Sequence, residues 1–145
     1  MATQAVKLKI RSIQSGMDDD KMRTEQSLEG FLETTKDLVR ICYTEDLSQE
    51  GDRVHTTLSY AYDHPEIIHL NREGSVRMSC IFEQGQRYIC NYELPIGAME
   101  FTVATSGVKN HISYREGGTL DMRYAMESRG VVLQKTDYHL TVIME

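Results

Sequence analysis

From residue 74 onward the chain is ruled by its glycines. Gly74, Gly85, Gly97, Gly107, Gly117, Gly118 and Gly130 recur every ten to thirteen residues, about the length of one strand and one tight turn. Each segment between them alternates apolar and polar side chains. Period two puts successive side chains on opposite faces of an extended strand, so such a segment cannot sit as an amphipathic helix. The aligned sets are Val76, Met78, Cys80 and Phe82; Tyr88, Cys90, Tyr92 and Leu94; Met99, Phe101 and Val103; Val108, Ile112 and Tyr114; and Leu120, Met122, Tyr124 and Met126. The last run changes parity between Val131 with Leu133 and Tyr138 with Leu140, Val142 and Met144. A one-residue slip turns every side chain over, which predicts a β-bulge near Lys135–Asp137.

The first half follows the same rule less regularly. Val6, Leu8 and Ile10 alternate, as do Leu28, Gly30 and Leu32, then Val39, Ile41 and Tyr43, then Val54, Leu58, Tyr60 and Tyr62. Met17–Gln26, with its Asp18-Asp19-Asp20 run, reads as a polar loop or a short helical turn. It lacks the Gly and Glu offsets of a calcium-binding EF-hand loop. Asp46–Asp52 reads as a loop around Gly51, Asp63-His64-Pro65 as a turn, and Glu66–Arg72 as a short strand.

These segments make an all-β, antiparallel up-and-down meander. A twisted sheet of about 8–10 strands closes on itself to remove its edges, so a barrel is expected, with a β-sandwich as the rival. The 145 residues form a single domain, 1–145, long enough to build its own core.

Charge narrows the partners. Asp plus Glu outnumber Lys plus Arg by 22 to 16, and no run of basic residues offsets this. Nucleic acid and anionic membrane surfaces, which need a positive field, are therefore not expected partners. Cys42, Cys80 and Cys90 are an odd number, form no Cys-x-x-Cys pair and follow no secretory leader. That pattern predicts free, buried thiols in a reducing, cytoplasmic setting.

One region resembles a known family. It runs through Asn71-Arg72-Glu73-Gly74 with Val76 and Met78, and through Phe82-Glu83-Gln84-Gly85-Gln86-Arg87. It continues through Tyr92-Glu93-Leu94-Pro95-Ile96-Gly97 with Glu100 and Thr105, and the opening KLKIRS with Leu28-Glu29-Gly30 fits as well. Together these resemble the YwiB-like family of bacterial proteins of unknown function, whose fold is a calycin, or lipocalin-like, β-barrel. In that family the corner commonly reads Tyr-x-Thr-Pro-Tyr-Gly; Leu94 and Ile96 stand here at the Thr and second Tyr positions. The Gly-x-Trp motif of true lipocalins is missing, since the chain has no Trp. The resemblance implies a fold and a bacterial setting, and no chemistry.

No nucleophile elbow, P-loop or dinucleotide fingerprint occurs, and the five histidines show no metal-ligand spacing. No catalytic residue, metal or cofactor is therefore expected. The tyrosines are the informative set, because all eight fall on the apolar parity. Inside a barrel their hydroxyls would need partners, supplied by neighbours such as Thr56 and Asn110, by water, or by a ligand. The plainer reading makes the rings core and lets the hydroxyls reach the barrel mouths. The ligand reading selects Tyr43, Tyr60, Tyr62, His69, Tyr92, Asn110, Tyr114 and Tyr124. Arg77 and Arg87, with Glu83 and Glu93 nearby, read as members of cross-strand ion pairs. The wider set Arg40, Arg72, Arg77, Arg87 and Arg123 could otherwise hold an anionic group at a barrel mouth. The expected function is non-catalytic binding of a small ligand in or at the mouth of the barrel. The alternative is a filled barrel that binds protein or forms a homodimer.

Overall fold

The structure is a computed structural model that describes residues 2–16, 20–46 and 53–145. Asp18, Asp19 and Gly51, on which two of the loop readings rest, lie outside the described residues. Ten strands follow one another: β1 (Ala2–Ser15), β2 (Lys21–Thr34), β3 (Leu38–Asp46), β4 (Arg53–Ala61), β5 (His64–Gly74), β6 (Arg77–Glu83), β7 (Arg87–Leu94), β8 (Gly97–Ser113), β9 (Gly117–Ser128) and β10 (Val131–Met144). Each pairs antiparallel with its sequence neighbour, and β1 pairs with β10 to close the barrel. The expected all-β, up-and-down closed meander is what the chain forms.

Inward positions are those of the alternating sets. Val6, Leu8, Leu32, Ile41, Leu58, Ile68, Phe82, Val103, Leu120 and Leu140 come from nine of the strands and are buried together. Burying a side chain of this size is worth about 1.5–3 kcal/mol, so the filled interior is the main source of stability. Phe82 lies against Tyr124 with ring centroids 4.6 Å apart.

Four readings of the sequence are corrected. Lys21–Gln26 is strand, because β1 and β2 form one long hairpin in register from Ala2↔Thr34 to Ser15↔Lys21. Gly107 is not a turn: β8 runs through it, and the parity change comes from a bulge between Thr105 and Gly107. The bulge in β10 falls between Val132 and Gln134, ahead of the predicted place. Pro65 lies inside β5 rather than in a turn. It is tolerated there because β5 pairs with β6 only from Ile67 onward, so no ladder bond is lost on that side.

The cysteines are a further departure from expectation. Cys80 and Cys90 form a disulfide across β6 and β7, and Cys42 alone is free. Alternation placed both sulfurs inward but carried no information on register; register makes them direct neighbours.

The two ends of the barrel differ. The β6–β7 hairpin is short and turns at residues 84–86. Beyond its tip β8 meets β5 directly, where Asn110 Nδ2 donates to the Pro65 carbonyl at 2.9 Å. That end is narrow. The opposite end carries the β3–β4, β5–β6, β7–β8 and β9–β10 connections and is the wider one, since β2 and β3 are bonded only over Gly30–Thr34 and part toward it. Gly118, at φ +143° on the narrow side, shows how tightly neighbouring strands approach: a Cβ there would overlap the His111 carbonyl oxygen.

Candidate functional site

Polar groups enter the interior toward the wide end. Tyr43 and Glu45 follow Ile41 on the inward parity of β3. Tyr43 pairs with Thr56 on β4, and Thr56 with Arg72 on β5, so these three side chains face inward as neighbours. Tyr124 and Thr136 form an inward pair on β9 and β10, and Tyr138 lies two residues further along β10. Two charged residues thus sit where apolar residues would satisfy the pattern.

They meet as an ion pair. Arg72 Nη2 lies 3.6 Å from Glu45 Oε1, with side chains only 22% and 15% exposed. The pair leaves donors unused. Arg72 Nε is buried without a hydrogen-bond partner, and so is Thr56 Oγ1 beside it. Thr105 Oγ1, on β8, is a third buried hydroxyl in the same condition. Leaving such a group unpaired costs about 1–3 kcal/mol, and most buried polar groups in folded proteins are satisfied.

The phenols around this pair are held neutral. Burial pushes Tyr43 up to about 12, the Glu45 carboxylate adds to the rise, and Arg72 opposes it. Tyr138 is raised well above its usual value by burial first, then by the neighbouring Tyr43 and Tyr124. Tyr124 is raised by burial, with Arg72 again opposing. Three phenols and a guanidinium therefore offer hydrogen-bond donors at neutral pH. Among the described residues no three His, Cys, Asp or Glu side chains come together as a metal site.

The residues selected from sequence separate into groups. Tyr43 and Tyr124 belong to the wide-end cluster. Tyr92 is also toward that end and packs edge-on against Phe101 at 6.4 Å. Tyr60, Tyr62, Asn110 and Tyr114 gather at the narrow end. There Tyr62 and Tyr114 lie just past their strands, 41% and 39% exposed, and meet edge-on at 6.1 Å. The buried Tyr60 hydroxyl has no hydrogen-bond partner, and Asn110 gives an amide N–H to the Pro65 carbonyl. His69 does not point inward: it pairs with Ser59 and Ile81 on the outer face and is exposed. A bulge between Ser59 and Ala61 sets the parity of β5, and the sequence gives no sign of it.

Thr56, Arg72, Glu45 and Tyr138 complete the cluster and were not selected. A signal for them existed, since Glu45 and Arg72 each continue the apolar parity of their strand. The Arg77 and Arg87 readings fare differently. Arg77 faces Glu93 in the ladder, whereas Arg87 reaches past Glu83 to the buried Glu127 at 3.1 Å.

A second arrangement on the outer face looks like chemistry. His139 Nδ1 contacts Asp121 Oδ1 at 2.5 Å, and its Nε2 lies 3.3 Å from Thr141 Oγ1. A hydroxyl, an imidazole and a carboxylate in this order could activate a nucleophile. However, Thr141 is paired with Lys9 on one side and Thr119 on the other, so its surroundings are occupied by sheet ladders. Oxyanion stabilisation needs amides free to aim at the reacting atom. The contact is a cross-strand hydrogen bond that orients His139.

The domain of unknown function DUF1934 matches residues 8–141. The chain belongs to the DUF1934 family. Its fold is similar to that of the crystal structure of ywiB protein from Bacillus subtilis, with a TM-score of 0.83 at 20% identity, over 99% of this chain and 93% of that one. The resemblance to a YwiB-like family is thereby shown. No curated protein matches the chain. Membership of DUF1934 and this likeness give the family and the fold and assign no activity.

Proposed function

We propose that this DUF1934 protein is a non-catalytic binding protein that takes a small polar ligand at the wide mouth of its barrel. One observation carries the reading: Thr56 Oγ1 and Arg72 Nε are buried without protein partners beside three phenols whose pKa values are raised. A ligand bearing an acceptor would satisfy both atoms and use the remaining guanidinium donors. The filled interior below the cluster limits the ligand to the mouth. Glu45 already balances the Arg72 charge, which favours a neutral ligand or one with a single negative charge.

The test is native mass spectrometry of the protein taken from its own cells without refolding. A reproducible adduct, lost on denaturation and lost in a Thr56→Val, Arg72→Met variant, supports the reading. An apo mass for the folded wild type, or an adduct that survives both substitutions, overturns it.

A further inference from the structure

The outside of the barrel carries a feature that the net charge hides. Two adjoining grooves of about 810 and 760 Å³ run over the outer face of β1, β2, β8, β9 and β10 and share Ile13, Ser106, Arg123 and Asp137. Six of the chain's 16 Lys and Arg residues line them, against three of its 22 Asp and Glu residues. Two of those cations are neutralised: Arg123 by Asp137 at 3.0 Å and Arg87 by Glu127. Arg11, Arg23, Lys109 and Lys135 make no ion pair among the described residues. Asp121, one of the three carboxylates, is held by His139. A protein of net charge -6 thus keeps a concave, electropositive strip.

We propose that this strip docks an extended acidic segment of a partner protein. The spacing argues for a chain rather than a point charge. Arg11 and Lys109 end one row that crosses β1, β10, β9 and β8 through His139 and Asp121. Three strand spacings separate them, roughly 14 Å, and Lys135 lies four residues along β10 from His139. Charges so dispersed cannot converge on one phosphate or carboxylate, but they can meet several along an extended chain. An extended peptide repeats side chains on one face about every 6.8 Å.

A second observation favours polypeptide. β2 is bonded to β3 only over Gly30–Thr34, so residues 21–29 present an open edge among the described residues. That edge borders the groove through Arg23 and Glu25. A segment that turns along this edge would gain main-chain hydrogen bonds there and place a carboxylate toward Arg23, while its continuation across the strip meets Arg11 and Lys109. Nucleic acid fits less well. Tyr124 and Tyr138 line the grooves by position, but their side chains are on the inward parity, which leaves no aromatic platform for base stacking. This site is separate from the barrel mouth, and either can fail without the other.

The experiment uses a fluorescein-labelled peptide of about twelve residues, alternating Glu and Thr, with the full-length protein. Fluorescence anisotropy reads binding. An oligothymidylate and an inorganic polyphosphate of equal charge serve as competitors. The inference expects saturable binding that weakens at least about tenfold when salt rises from about 50 to 500 mM. It expects a comparable loss in Arg11→Gln, Lys109→Gln and in the charge-neutral edge variant Thr24→Pro, each confirmed folded by circular dichroism. The Arg11→Gln, Lys109→Gln protein keeps the backbone intact and decides the matter if Thr24→Pro does not fold. Lack of binding at about 100 µM peptide would overturn the inference. So would binding indifferent to the double substitution, or tighter binding of either competitor.

Discussion

Cys80 and Cys90 face each other across the β6–β7 ladder, one step inward from Ser79↔Asn91, and their sulfurs are bonded inside the barrel. Both residues are fully buried. The bond ties the two shortest strands of the barrel, where the ladder has the fewest pairs to hold it.

That position predicts a sizeable, sheltered contribution to stability. Closing a loop of ten residues restricts the unfolded chain by roughly 3 kcal/mol. The Cys80→Ala, Cys90→Ala variant should lose at least that much in urea unfolding, with some addition from the space left behind. Dithiothreitol should leave the native bond intact and reduce it once the protein is unfolded, as followed by thiol labelling. Equal stability of variant and wild type would remove the disulfide from the account.

The Arg72–Glu45 pair makes a second prediction. Replacing Arg72 with Met leaves a mostly buried carboxylate without its cation, at a cost of roughly 1–3 kcal/mol for a pair that keeps some contact with water. Adding Glu45→Gln should recover most of the loss, because the uncompensated charge is gone. Chemical denaturation of the two single variants and the double variant gives the coupling. Additive losses would mean that the two side chains do not act on each other.

Alkaline pH should unfold the protein through its tyrosines. Tyr43 and Tyr60 are pushed up to about 12, in each case chiefly by burial. A tyrosine in the unfolded chain titrates near 10. Because the folded value is the higher one, the stabilisation from the neutral phenols is whole below about pH 10 and is lost as pH rises toward 12. The loss approaches about 2–3 kcal/mol for each group. Tyr60→Phe should be at least as stable as wild type at pH 7, since it removes a buried hydroxyl without a partner. It should also retain more of its stability at pH 11. Thermal melts across this range check both statements.

The sequence displays its strands because a closed antiparallel barrel repeats one pattern everywhere: inward apolar, outward polar, glycine at the turns. Tyr43, Tyr124 and Cys80 were placed inward by that pattern alone. Bulges are where it misleads. Gly107 carries the signature of a turn but sits at a bulge in β8, and the bulge in β4 leaves His69 outside. Register is the other hidden variable. It makes Cys80 and Cys90 partners, brings Arg72 against Glu45, and gathers Arg11, Arg23, Lys109 and Lys135 from four strands into one strip. Linear charge counts could not reveal that strip, since no two of its unpaired cations are adjacent in the chain.

The central claim is that a ligand occupies the wide mouth. Carbon-13 spectra of labelled tyrosines test it most directly, by comparing protein as isolated from its cells with the same protein unfolded, stripped and refolded with its disulfide intact. The account predicts that the signals of Tyr43, Tyr124 and Tyr138 shift between the two samples while those of Tyr62 and Tyr114, at the narrow end, stay in place. Identical spectra, or shifts confined to Tyr62 and Tyr114, would contradict it.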